Sequence, residues 1–478
     1  MATYTPEPVV EGTDGTDLTL PVTANELHGP LPMQQGGSPR RRVFNLAWPV
    51  ISENFLETML GIVDTWLVAS LGAVAIAGVG TAIQFMFFVI AALSAVSVGS
   101  SVLVAQAIGA RTFARASQLA KQSLVWSVIF SIPLILIGLV ASEQLIGIFG
   151  VEPAVQKIGA EYLRVTMGTV VVLTLLFLGG GVLRGAGDSR TPMLVTALAN
   201  VINVILAYGL IFGAWGLPAM GAVGSAWATF AARAVALVLL LYAMWRGRNG
   251  VSIRGADGWM PQWGVARQVL KIGVPAAVEQ VLISVAFLIF TIVIAHLGTM
   301  ALAAQRIAMN AMSLSFLPGF GFGIAATALV GQSIGARQPD EARVMGNIAT
   351  LWGVIWMSLL GLIFLLFPEA IMRFFSTDPE IVATGASGLR IIAFTQPFWA
   401  VGFVQAGALR GTGDTQYPLW VNTIAMWAAV GLSALSVWYV DSSMAAAWAP
   451  FLLTAPLAAW LMWRRFHRVI TTVAPTVL

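Results

Sequence analysis

From Arg40 onward the sequence runs as apolar stretches of 20 or more residues separated by short polar breaks. This feature limits the fold most tightly. A helix rises about 1.5 Å per residue, so each stretch can cross the roughly 30 Å hydrocarbon core of a bilayer. Inside lipid, backbone polar groups must be paired within the protein, which leaves helices or a closed barrel. Barrel strands would be about ten residues long and alternating, and these stretches are neither. Twelve helical spans are predicted: six near 43–70, 75–107, 118–141, 154–182, 192–213 and 219–246, and six near 265–296, 299–333, 343–367, 379–409, 417–440 and 442–463. Composition agrees. The chain is 58% hydrophobic and 10% charged, where soluble domains carry about 25% charged residues. There is no Cys, which excludes a disulfide scaffold and thiolate chemistry. The three His are too scattered for a His-rich metal centre.

Charge gives the organisation and the orientation. Residues 1–39 hold five acids (Glu7, Glu11, Asp14, Asp17 and Glu26) and no Lys or Arg. They are rich in Thr, Pro and Gly, without an apolar run of signal-peptide length, and read as a disordered cytoplasmic tail. With the N-terminus inside, 19 of the 25 Lys and Arg fall in inside segments and five outside. That is the positive-inside pattern, and an even span count then puts both termini in the cytoplasm of a multi-pass cell-membrane protein. The basic excess is explained by topology, so no nucleic-acid partner is expected. The expected units are a six-helix half over 40–246, a cytoplasmic linker over 247–264, a second half over 265–466 and a tail over 467–478.

The chain repeats itself at an offset of 226. VLVAQAIGAR at 102–111 faces ALVGQSIGAR at 328–337, identical at seven of ten positions. LRGAGDSRTP at 183–192 faces LRGTGDTQYP at 409–418, identical at six. The same register pairs Pro49 with Pro275, Glu53 with Glu279 and Pro153 with Pro379. One register kept from residue 49 to 418 marks an internal duplication. Six spans per half make the repeats parallel, related by an axis along the membrane normal, with a central cleft between them. This architecture is typical of secondary carriers.

Span 1 carries Glu53, Glu57 and Asp64, which at 100° per residue share one stripe. Carboxylates facing lipid would be very costly, so the stripe should face a watery cleft, with Glu53 and Glu57 counted among its lining residues; alternatively one or two pair with nearby cations. Low dielectric disfavours the charged form of an acid, so a carboxylate here can hold a proton and release it when the site opens to water. In its charged state it attracts a cation. Proton (or Na⁺) and cationic substrate would then compete for one acid, as antiport requires. Thr229 in span 6 is a polar neighbour, either for that site or for helix–helix bonding. Glu279, with Pro275 at a hinge position, opens span 7 and is expected either to help close the cytoplasmic mouth by bonding Arg or backbone groups, or to serve at a helix end. Phe85, Met86, Phe87 and Phe88 in span 2, and Phe398, Trp399 and Phe403 in span 10, are aromatic and Met candidates for a cleft that takes planar cations. The glycines of LRGAGD and LRGTGD follow no strand, and no G-x-x-x-x-G-K-[ST] occurs, so ATP pumping is unsupported. Arg184 with Asp188, and Arg410 with Asp414, should brace the loops.

The paired segments AQAIGAR (Gln106, Arg111) and GQSIGAR (Gln332, Arg337), the two LRGxGD motifs, and the first span WPVISENFLETMLGIVDTWLVASLG resemble the multidrug and toxic compound extrusion family over residues 43–465. The resemblance implies an all-α integral membrane fold of twelve helices in two six-helix repeats. It implies a secondary active efflux transporter, not an enzyme, exporting amphipathic, mostly cationic organic compounds by antiport with H⁺ or Na⁺. No cofactor is expected, and the chain should function as a monomer in the bilayer. By resemblance, Asp64 is a main ion-coupling residue, Asn203 matches the Asn of an Asn-x-x-x-Asp pattern, and Pro49 is where span 1 bends upon protonation. The sequence departs from the family at Ala207, which stands where that Asp would be, and at Trp399, where some relatives carry a span-10 Asp. The alternative is a flippase for lipid-linked saccharides or other lipids, whose anionic cargo would select a basic cavity.

Overall fold

The computed structural model describes residues 38–472. The tail expectations for 1–37 and 473–478 lie outside the described residues. The first half contains α1 (Pro39–Ala69), α2 (Ala73–Gly109), α3 (Phe113–Gly147), α4 (Pro153–Gly168), α5 (Val170–Gly185), α6 (Arg190–Phe212) and α7 (Ala222–Arg246). The second contains α8 (Trp263–Ala295), α9 (Thr299–Gly335), α10 (Pro339–Leu366), α11 (Pro368–Phe375), α12 (Pro379–Thr412), α13 (Gln416–Tyr439), α14 (Met444–Trp448) and α15 (Phe451–Val469). Pro at the first positions of α1, α4, α10, α11 and α12 starts those helices, since its missing N–H is not needed there.

Ten of these segments, α14 and α15 counting as one, are long and apolar enough to span a membrane. The pair α4 and α5, bent by 52° at Thr169, makes an eleventh. The twelfth, α1, is 31 residues long but falls short on apolarity, because it carries the acidic stripe. The twelve-span, two-repeat reading therefore holds, with refinements: span 4 is broken, span 12 is two helices, and the short α11 adds a turn between spans 9 and 10. Helices α1 and α8 run unbroken through Pro49 and Pro275.

Each half packs its own core, but the halves exchange their first helices at one end. Val43, Leu46 and Ala47 of α1 are buried in the core of the second half. Val265, Val269 and Ile272 of α8 are buried in the core of the first. Val43 and Val269, like Leu46 and Ile272, are related by the 226 offset, so the exchange is reciprocal. This end of the bundle, where α1 begins and α15 finishes, is called the terminal face below.

The bonds that join the halves cluster at that face, again in repeat-related pairs. Gln106 Nε2 donates to the Gly411 carbonyl at 3.0 Å, and Gln332 Nε2 to the Gly185 carbonyl at 2.9 Å. Arg42 pairs with Glu341 at 2.5 Å, while at the matching positions Arg115 donates to Gln268 at 3.2 Å. Backbones touch here. A methyl group on Gly273 would fall 1.6 Å from the Ala95 carbonyl oxygen, and one on Gly99 would fall 2.1 Å from that of Val269. The terminal face is closed. Across the 247–262 linker, Lys121 of α3 donates to the carbonyls of Arg254, Gly255 and Asp257.

Candidate functional site

Helix α1 has two opposed faces. Phe55, Met59, Ile62 and Trp66 are exposed, Trp66 at 72%, and form one apolar stripe. At 100° per residue, Glu53, Glu57 and Asp64 lie about 160° to 200° round the axis from Phe55. An exposed apolar stripe belongs against lipid, so the acids turn into the first half. The three acids of the stripe sit in different surroundings.

Glu53 is buried and bonded rather than open to a cleft. Its carboxylate accepts from Arg184 Nη1 of α5 at 3.0 Å and from Thr196 Oγ1 of α6 at 3.5 Å. The second half repeats this arrangement: Glu279 accepts from Arg410 Nη2 at 2.9 Å and from Asn422 Nδ2 at 2.6 Å. Both sets obey the 226 offset. Of the two readings of Glu53, an acid lining the cleft or one paired with a nearby cation, the geometry matches the pairing. Glu279 does bond an Arg, but within its own half, so it does not bridge the mouth. Arg184 and Arg410 hold these acids rather than Asp188 and Asp414. Asp188 instead accepts from Thr191 N and Oγ1 at 3.0 and 2.6 Å, and Asp414 pairs with Arg465 at 2.8 Å. Arg111 and Arg337 take left-handed backbone conformations, φ 60° and 56°, where α2 and α9 turn out of the bundle.

Deeper along α1, Asp64 Oδ1 is buried with no hydrogen-bond partner. Asn203 Nδ2 of α6 donates to Thr229 Oγ1 of α7 at 2.9 Å, leaving Asn203 Oδ1 buried and unpartnered too. Ser225 Oγ of α7 is in the same condition. Buried polar atoms are normally paired, so Asp64 Oδ1, with the Ser225 hydroxyl next to the same carboxyl group, marks a place that can take a proton or another donor. Glu57, one turn from Glu53, is exposed and makes no ion pair among the described residues. Arg233 of α7 exerts its field on both Glu57 and Asp64. It also lines a pocket with Thr166, Thr169, Thr229 and Phe230, at the bend between α4 and α5. The buried Tyr162 of α4 feels both Asp64 and Arg233. Nothing along the chain flagged Tyr162 or Ser225. Arg233 is a charge inside a predicted span, and a lone Arg in an apolar helix needs an acid nearby.

The second half lacks this chemistry. The repeat partners of Glu57, Asp64 and Asn203 are Ile283, Phe290 and Ala429. Phe290 is fully buried, with its ring 4.7 Å from that of Trp448 and 5.4 Å from that of Phe451. Trp399 joins this aromatic packing, 5.9 Å from Phe451 and 5.1 Å from Phe316, so it serves the core more than an open cleft. Met86 is likewise buried in the first half's core with Phe85 packed against it, which corrects its placement on an open cleft surface. Phe87 and Phe88 are exposed.

Comparison with known proteins follows this duplicated pattern. The family model MatE matches twice, over residues 49–209 and 275–435, which is again a displacement of 226. A probable multidrug resistance protein NorM of Thermotoga maritima is 34% identical over 426 residues, covering 87% of this chain and 90% of that protein. The multidrug resistance protein NorM of Burkholderia vietnamiensis is 33% identical over 445 residues, covering 88% and 92%. Among solved structures, an outward-facing multidrug resistance transporter of the MOP superfamily superposes with a TM-score of 0.84 at 23% identity, over 91% of this chain and 96% of that one. A MOP superfamily transporter from Pyrococcus furiosus gives 0.83 at 22% identity, over 91% and 96%. These two show the shared fold.

Proposed function

The chain belongs to the MatE family of multidrug and toxic compound extrusion transporters, and from that premise we propose that it exports amphipathic organic cations in exchange for an inward-moving cation bound at Asp64. The observation that carries this reading is the buried, unpartnered Asp64 Oδ1, with the Ser225 hydroxyl next to the same carboxyl group. An ionised carboxylate without a partner is costly in a dry lobe, so the site favours a state in which a cation is bound. Opening to water releases that cation, and the acids of α1 then attract a cationic substrate. Binding of one favours loss of the other, which is the coupling an antiporter needs. Glu57, exposed and unpaired, is the acid best placed to meet the substrate's charge. The Lys and Arg distribution favours placing the closed terminal face in the cytoplasm of a cell-membrane protein. A lipid flippase with anionic cargo is disfavoured because the acids of α1 outnumber the cations that face them.

The test uses purified protein in proteoliposomes loaded with ethidium, with pH and Na⁺ gradients imposed separately. Uphill ethidium movement under at least one gradient is expected, and its loss in Asp64→Asn at unchanged reconstitution level. Movement that ignores both gradients overturns the reading.

A further inference from the structure

Arg233 is a charged side chain in the middle of a span that the known activity leaves without a role. We propose that its pocket holds a carboxylate, so that the first half takes organic zwitterions, with the ammonium end on Glu57 and the carboxylate end on Arg233. This deepens the antiport reading above by naming a substrate class, and it rests on that reading.

The pocket lies where α4 bends into α5 against α7, lined by Thr166, Thr169, Leu173, Thr229, Phe230 and Arg233. Among the described residues Arg233 makes no hydrogen bond and no ion pair. A guanidinium carries five N–H donors in a planar fork that matches a carboxylate. Left unpaired at membrane depth, it is costly. The hydroxyls are not all free to help. Thr166 and Thr169 donate to backbone carbonyls one turn back, those of Tyr162 and Val165, at 3.1 and 2.8 Å. Thr229 Oγ1 instead accepts from Asn203 Nδ2 at 2.9 Å and donates to nothing among the described residues. The pocket thus offers an anion the Arg233 fork and one hydroxyl proton. It is small, with room for a carboxylate rather than a whole ligand, and Phe230 and Leu173 give it apolar walls.

Backbone contacts place Glu57 at the same depth. Asn200 Nδ2 of α6 donates to the carbonyl of Leu56, the neighbour of Glu57, at 2.8 Å. Three residues further along α6, Asn203 meets Thr229 of α7. Helix α7 runs back toward the terminal face, and Arg233 lies four residues along it from Thr229. At about 1.5 Å per residue the climb and the descent nearly cancel, so Arg233 returns to the level of Glu57. A lone anion in this half would meet the acids of α1, and a lone cation would leave Arg233 bare. A zwitterion satisfies both.

The test measures binding to the purified chain by fluorescence anisotropy with two matched dyes. One is a rhodamine with a free carboxylate, zwitterionic at neutral pH, and the other is its methyl ester, a plain cation. Wild type should bind the acid about tenfold or more tightly than the ester. Arg233→Gln should abolish that preference by weakening the acid, while the ester binds as before or more tightly. Arg233→Lys keeps the charge but not the fork, and should fall between. Wild type that binds the ester as tightly as the acid overturns the proposal, and this arm needs no variant to fold. An unchanged preference in Arg233→Gln, or equal weakening of both dyes, overturns it too. In proteoliposomes, failure to export either dye under every gradient instead removes the antiport reading beneath it.

Discussion

Glu53 and Arg184 meet at 3.0 Å inside the first half, joined across α1 and α5. The same contact recurs 226 residues later between Glu279 and Arg410, at 2.9 Å. Both halves keep this pair, yet only the first keeps Asp64 and Glu57. What is kept twice is framework that holds α1 and α8 to their own halves. What is kept once is chemistry.

Glu279→Gln should therefore act on stability. It leaves the half-buried Arg410 without its charge partner, a loss of about 1.5–3 kcal/mol. Detergent-solubilised protein should melt at a clearly lower temperature, whereas replacing both partners by Leu and Met should restore much of the loss. A variant that melts like wild type but no longer switches between open states would instead make Glu279 a gate residue.

Asp64 should behave in the opposite way. Asp64→Asn retains the shape of a protonated acid, and Oδ1 has no bonds to lose. Melting temperature should hold within a degree or two while gradient-driven ethidium export falls at least about a hundredfold, a loss worth some 2.7 kcal/mol of coupling. Asp64→Glu should keep partial export. Loss of expression in Asp64→Asn would mark the residue as structural.

Gly273→Ala puts a methyl group where the Ala95 carbonyl oxygen stands, so α2 and α8 must separate. The terminal face should then open. Because the chain has no Cys, spin labels placed on cysteines introduced at positions 42 and 341 report that distance alone. A longer mean distance in Gly273→Ala is expected, and an unchanged distribution would show that the closed face does not depend on this contact.

Tags at residue 30 and after residue 470 should both be reachable only from the cytoplasm of intact cells. An outside signal from either would reverse the orientation inferred from Lys and Arg.

Twelve spans and a duplication were legible because hydropathy and an exact register are properties of the chain alone. The acidic stripe was legible because helical periodicity places Glu53, Glu57 and Asp64 on one face. The sequence could not separate their roles, since that depends on α5 and α6 delivering Arg184 and Thr196 to Glu53 but nothing to Asp64 Oδ1. Tyr162, Ser225 and Arg233 escaped for the same reason: they lie on α4 and α7, about 100 residues or more from Asp64. Trp399 and Met86 misled because an aromatic or Met in a span looks the same whether it lines a cleft or fills a core.

The exchange of Val43, Leu46 and Val269, Ile272 between cores, with the crossed Gln106 and Gln332 bonds beside it, has a kinetic consequence. Each half grips the other through the same residues, so loosening one grip strains its twin. Opening should then be all-or-none, a single exponential step with no half-open species. A mutation that breaks either grip should quicken the whole transition, and its twin mutation should quicken it by a similar factor.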